Sequence, residues 1–283
     1  MALLVPAEPT ANVVSAAAGL DTIRTLGQFT LTTGVTLTAS ATPHALPASP
    51  TELLSAASNT IEAEWIRVSI HGTASSVVDT NSLLNIYLGA AGSETLFIDS
   101  LSSGWAAGVI DHGLPRTYWF PVRIPRGTRI SASLRALIAS DTAEVIIELG
   151  VSNGTHWVGS GVETLGEVTA SSRGTAVTPA NIGPAWTTIG TTGRRYRHIS
   201  VGVQGNNDTS ILDTWYAWII GTGSAVYQNL AWMLTRSDNL EAHDNETDAG
   251  WWCDIPSGTS LQLRAHSSNT PSGLVYATLH GVY

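Results

Sequence analysis

The sequence predicts an all-β protein: two tandem, duplicated, jelly-roll-like β-sandwich domains preceded by an N-terminal arm. Three observations carry this. Apolar residues alternate with polar ones at period two, Gly, Pro, Asn and Asp clusters separate the short runs, and the middle of the chain is written twice. Leu37-Thr38-Ala39-Ser40 matches Val168-Thr169-Ala170-Ser171, and Arg67-Val68-Ser69-Ile70 matches His198-Ile199-Ser200-Val201, both 131 positions apart. The offset becomes 129 where Asp79, Leu83 and Tyr87 fall on Asp208, Leu212 and Tyr216, then returns to 131. There Ile124-Pro125-Arg126-Gly127-Thr128 meets Ile255-Pro256-Ser257-Gly258-Thr259, and Gly150-Val151 meets Gly281-Val282. This period is longer than the roughly 20–50 residues of solenoid or propeller units, so each copy is a whole domain.

Residues 1–36 form the arm, rich in Ala, Thr and Val and without a duplicate. Such a segment docks on a neighbour or folds along its own sandwich. The first domain spans 37–151. Near its start, Pro50 to Ala57 is the best helix candidate, with Ser49 as cap, Pro50 in the first helical position and Glu52 completing a capping box. Ile66, Val68 and Ile70 then alternate with Arg67 and Ser69, and Ile130, Ala132, Leu134, Ala136 and Ile138 alternate with Arg129, Ser131, Ser133 and Arg135. Residues 152–167 join the copies with no Pro-rich or charged linker, so the domains should abut. The second domain, 168–283, repeats both phases, with Ile199, Val201 and Val203 on one strand and Leu261, Leu263 and Ala265 on another.

Charged residues make up 12% of the chain, against roughly 25% in an average soluble domain, and all 13 cations are arginine. Lysine normally guards exposed strand edges. Its absence reflects either GC-rich codon usage or edges occupied by partner chains. The net charge of −9 argues against nucleic acid as a partner, because phosphate binding needs clustered positive charge, and only Arg194, Arg195 and Arg197 cluster. A single cysteine, Cys253, excludes an internal disulfide and suggests folding in a reducing cytosol. Met1 to Pro6 is too short for a secretory apolar region, and no apolar run approaches the ~20 residues of a bilayer span, so neither export nor a membrane is expected.

The sequence points to no catalysis and no cofactor. Gly159-Ser160-Gly161 and Gly221-Thr222-Gly223-Ser224 lack the flanks of a nucleophile elbow, and no phosphate loop, HExxH helix or CxxC pair occurs. Asp244, Glu246 and Asp248 alternate as calcium ligands do, but Gly250 comes one place late and the later bidentate Glu is missing, so no metal site is assigned there. His112 and His243 each precede the Ile-Pro of their copy by twelve residues, yet their neighbours share no ligand set. Tryptophan is in excess, 10 against 3 Phe. Trp251 and Trp252 are adjacent, so on a strand one points inward and one outward. Phe120 is the 131-offset counterpart of Trp251, with Trp119 before it. Trp215 and Trp218 stand three apart on opposite faces. Trp119, Trp251, Trp252 and Trp218 are therefore the candidate binding residues, either as stacking platforms for sugars or as anchors of a protein interface. The competing reading is core filler.

A lysine-free, weakly charged chain with an Ala/Thr-rich arm and tandem sandwiches resembles the accessory virion proteins of tailed bacteriophages: head-decoration, head-fibre and tail components. The resemblance implies a non-enzymatic structural protein located in the virion and assembled in the host cytoplasm. It further implies symmetric homo-oligomers, other virion proteins as partners, and attachment through the arm and strand edges. A carbohydrate-binding protein using exposed Trp residues, with a host glycan as partner, is the alternative.

Overall fold

A computed structural model describes residues 22–26, 34–72, 81–103, 116–152, 154, 157–204, 214–222, 228–238, 241–243, 250–268 and 274–283. Strands β1 (Thr22–Leu26), β2 (Val35–Thr38), β3 (Thr51–Leu54), β4 (Trp65–Gly72) and β5 (Ser82–Leu88) open the first half. β6 (Thr95–Ser102), β7 (Arg116–Phe120), β8 (Ile130–Ala136) and β9 (Thr142–Val151) complete it. The second half begins with β10 (Val162–Leu165), β11 (Glu167–Val168), β12 (Arg173–Val177), β13 (Thr187–Thr191) and β14 (Tyr196–Gln204). It continues through β15 (Thr214–Thr222), β16 (Gln228–Asp238), β17 (Glu241–His243), β18 (Gly250–Ile255), β19 (Ser260–Ser267) and β20 (Val275–Val282). Among the described residues the only helical element is a 3₁₀ turn at Thr169–Ser171.

Both halves are jelly rolls with one strand order. In the first, β2-β9-β4-β7 faces β3-β8-β5-β6; in the second, β12-β20-β14-β18 faces β13-β19-β15-β16, with β17 added at the edge. Every pairing between these strands among the described residues is antiparallel, and the connections swap sheets as a jelly roll requires. The predicted phases hold. Ile66, Val68, Ile70, Ile130, Ala132 and Leu134 lie in one apolar core, and Ile199, Val201, Val203, Leu261, Leu263 and Ala265 in another. The Ile-Pro-x-Gly-Thr turn is tied down alike in both copies. Gly127 N–H donates to Asn59 O at 2.9 Å and Gly258 N–H to Thr192 O at 2.7 Å. Both glycines sit at φ near +80°, where a side chain is strained, and this explains the residue at each place.

Part of the arm folds back. β1 pairs with β9 from Thr22↔Val151 to Leu26↔Ile147, beside the stretch taken by β2. β10, from the joining segment, occupies the same place on β20, from Val162↔Val282 to Leu165↔Leu279. Each sandwich thus receives an extra strand from the chain that leads into it.

Two sequence expectations fail, each for a physical reason. Residues 50–57 are not helical: β3 is an edge strand on β8, with a bulge between Glu52 and Leu54 that lets Leu53 and Leu54 both turn inward. Instead of capping an amide, the Glu52 carboxylate accepts Arg129 Nε–H at 2.7 Å. Core burial of two leucines outweighs a local capping preference. The sequence offsets also drift out of register. Leu149 lies in the first core, so its neighbour Gly150 faces outward; Leu279 lies in the second, so Gly281, two places on, faces inward. The Gly-Val matches therefore sit on opposite faces. Across the ladder, Ile86 faces Ala132 and Ile220 faces Leu263, which makes Gly221, not Tyr216, the structural counterpart of Tyr87.

Candidate functional site

The outward face of the sheet β12-β20-β14-β18 is sealed against the first sandwich, and the buried His198, Gln204, Thr278 and His280 lie in this seam. β14 carries Ile199, Val201 and Val203 into its own core, so His198, Ser200, Gly202 and Gln204 point the other way. On β20 the same parity points Thr278, His280 and Val282 outward. All of these side chains are essentially inaccessible, and Val282 packs into the apolar core of the first sandwich. From that sandwich come Tyr118, Trp119 and Phe120 of β7, Ser102 of β6 and Ser82 of β5.

The seam is held by uncharged hydrogen bonds. Gln204 Nε2–H donates to Ser82 O at 2.8 Å while its Oε1 accepts Gly174 N–H at 3.1 Å. Tyr118 O–H donates to Ser102 O at 2.7 Å. Gly202 is required where that phenol arrives, since a Cβ there would lie 2.6 Å from the Tyr118 oxygen. Around His280 the bonds run in one direction. The Thr164 hydroxyl gives its proton to Asp99 O at 2.7 Å, so its oxygen accepts His280 Nδ1–H at 3.0 Å. His280 Nε2 is then left to accept the Thr278 hydroxyl at 3.1 Å, and Ser102 stands 3.2 Å behind Thr278. This pattern suits the neutral ring. The rings of Tyr118 and Phe120 close over it edge-on at 5.6 and 6.1 Å.

His198 is the centre of an aromatic group. Trp119 and Trp252 each meet its ring edge-on at 5.3 Å and each other at 5.9 Å. Among the described residues neither of its ring nitrogens has a hydrogen-bond partner. Burial alone pushes both His198 and His280 down to about 3, so both are neutral near pH 7.

Trp119 and Trp252 are structural equivalents. Arg67 pairs with Trp119 and His198 with Trp252 in the ladders, while Val68 pairs with Tyr118 and Ile199 with Trp251. The counterpart of Trp251 is therefore Tyr118 rather than Phe120. Trp251, 8% exposed, belongs to the second core and cannot serve as a surface platform. Trp119 and Trp252 are half-buried. Trp218 lies on β15, whose side chain at this position is outside the described residues, as are Asp244, Glu246 and Asp248. Among the described residues no three His, Cys, Asp or Glu side chains gather as metal ligands would.

Other sequence features resolve into local structure. Arg195 grips Asp254 through two bonds of 2.6 Å, Arg194 lies over the Tyr283 ring, and the cluster of arginines is thereby partly occupied. The Cys253 thiol is pushed up to about 12, chiefly by burial, which removes its nucleophilic form near neutrality. His198, Gln204 and His280 were missed as site residues because they occupy the outward positions of strands that read as solvent-facing. The available signal was the absence of charge there. In the first sandwich the equivalent row pairs Arg67 with Glu148, which form an ion pair, and Ser69 with Ile146; in the second it pairs His198 with Val282 and Ser200 with His280.

Neither a family model nor a curated protein matches this chain. Among solved structures it is similar to PNGF-II in a P21 crystal form, at 7% identity and a TM-score of 0.39, over 92% of this chain and 65% of that one. The atomic structure of Sulfolobus Turreted Icosahedral Virus is similar at 14% identity and a TM-score of 0.38, over 94% and 91% of the two chains. The Macrobrachium rosenbergii Nodavirus structure follows at 11% identity and a TM-score of 0.25, over 100% and 95%. The chain spans just under two thirds of PNGF-II, and none of these likenesses assigns an activity.

Proposed function

We propose that the chain is a non-enzymatic structural protein of a virus particle, specifically an accessory head or tail component of a tailed phage, which assembles with its own copies and other virion proteins. Jelly rolls serve as building blocks in capsids and as sugar-binding domains in lectins. The observation that carries the structural reading is the sealed seam, in which the facing side chains of the two sandwiches are buried among the described residues. The sparse charge fits a surface covered by neighbours. At β3 and β13, one outer strand of each of two equivalent sheets, assembly by strand addition is discouraged, because both are short and bulged. Attachment is therefore assigned to residues 1–21, ahead of the strand that docks on β9.

Removing residues 1–21 should abolish binding to virion partners while leaving the β circular dichroism unchanged. A full-length chain that stays monomeric by light scattering at micromolar concentration and binds no virion protein would refute the reading. Sugar binding is the second reading, favoured by Trp119 and Trp252 lying side by side and half-exposed. On a glycan array, a specific hit that Trp252→Ala removes would establish it.

A further inference from the structure

The seam contains the only fully buried histidines among the described residues, one on each of two neighbouring strands of a single sheet, facing a sandwich that offers them hydroxyls, carbonyls and rings. His198 meets Trp119 from β7, Trp252 and Gly250 from β18, and Val282 from β20. On β18 Asp254 is committed to Arg195, and Arg67, the ladder partner of Trp119, is committed to Glu148. Arg116, two places from Tyr118 on β7, adds a buried cation on the side of the first sandwich. His280 meets Tyr118 and Phe120 from β7, Thr164 from β10 and, through Thr278, Ser102 from β6. Of the carboxylates on those strands, Glu163 accepts the Tyr196 hydroxyl and Asp99 accepts the Ser100 hydroxyl. Glu167, on the adjoining β11, has its carboxyl raised above the ordinary range, chiefly by burial. No carboxylate oxygen is within hydrogen-bonding distance of either imidazole among the described residues. A proton on His198 or on His280 Nε2 would thus be a charge in a closed, nearly uncharged layer, and on His280 it would also meet the hydroxyl hydrogen that Thr278 now donates.

We propose that the seam is an acid-labile joint: protonation of His198 and His280 parts the two sandwiches while each keeps its own core. Each half has a separate apolar core and a complete pair of sheets, so opening need not unfold either. The sign follows from linkage. Both rings are depressed from 6.5 to about 3 in the closed form, so closure is fully favoured above pH 6.5 and loses stability as pH falls toward 3. This inference is independent of the virion reading.

Small-angle scattering and far-ultraviolet circular dichroism of the full chain, followed from pH 7 downward, test it. The radius of gyration should rise at a pH where the β signal is still intact. In the double variant His198→Phe, His280→Gln, which keeps ring packing at one site and hydrogen bonding at the other, the rise should move down by at least about one pH unit. If the radius and the β signal change together, or if the double variant opens at the wild-type pH, the proposal falls. Should the variant not fold, the wild-type imidazole proton resonances decide. Both rings must titrate together with the rise in radius, and a ring that titrates ahead of it overturns the joint.

Discussion

Gln204 shows how much a single seam residue can carry, because its amide satisfies one backbone group in each sandwich, Gly174 N–H and Ser82 O. Gln204→Leu would strip Gly174 N–H of this acceptor while Ser82 O keeps Ser103 N–H at 3.0 Å, and should cost about 1–3 kcal/mol in urea unfolding. Glycines divide into two kinds by what surrounds them. At Gly174 a Cβ would sit 2.3 Å from the Ala277 backbone, which cannot yield as a flexible side chain could. Gly174→Ala should therefore cost at least about 2 kcal/mol. At Gly127 nothing lies within 4 Å of the added carbon and only the positive φ opposes it, so Gly127→Ala should cost about 1 kcal/mol. Comparing the two midpoints in one denaturant series separates steric from conformational cost.

At the scale of strands, the same sheet face has been given two chemistries. Where Arg67 and Glu148 stand in the first sandwich, with 18% and 20% of their side-chain surface exposed, the second has His198 and Val282 fully buried. An ion pair is tolerable where water still reaches it, and costly where another domain excludes water. Copying the charged residue across, Val282→Glu should bury a carboxylate opposite the neutral His198 instead of an arginine and cost about 3–5 kcal/mol, read as a lowered melting temperature near pH 7. The duplication was legible in strands rich in core residues, such as Val68 with Ile199 and Ile130 with Leu261, because burial constrains both phase and residue type. It was misread at Gly150 with Gly281 and at Tyr87 with Tyr216. There a chance identity outscored the strand phase, which only the pairing ladder reveals. The helix expected over 50–57 fails for a related reason: capping is a local preference, and edge pairing with β8 plus two buried leucines prevails.

For the whole molecule, stability should fall as pH drops below 6.5, because unfolding exposes two histidines that bind protons at their ordinary pKa while the closed form resists them down to about 3. Two extra protons in the unfolded state lower the folding constant by about a hundredfold per pH unit in the middle of that window. Asp141 and Glu167, raised mainly by burial, act oppositely: their penalty grows as pH rises through the carboxylate range and shrinks in acid. Chemical unfolding at several pH values, repeated with His198→Phe, should show roughly half that slope lost. An unchanged slope would mean that other groups dominate the acid response.

By itself the sequence determined the all-β class, the doubling and which strand face forms each core, because alternation with period two translates directly into side of the sheet. It also marked Trp119 and Trp252 as unusual. Only the tertiary structure decided that the outward face of one sheet is an interior, that Trp251 is core, and that two histidines without any motif spacing share one seam. Those facts depend on contacts between residues far apart in the chain, and alternation within a strand says which side a residue faces but not what lies opposite it.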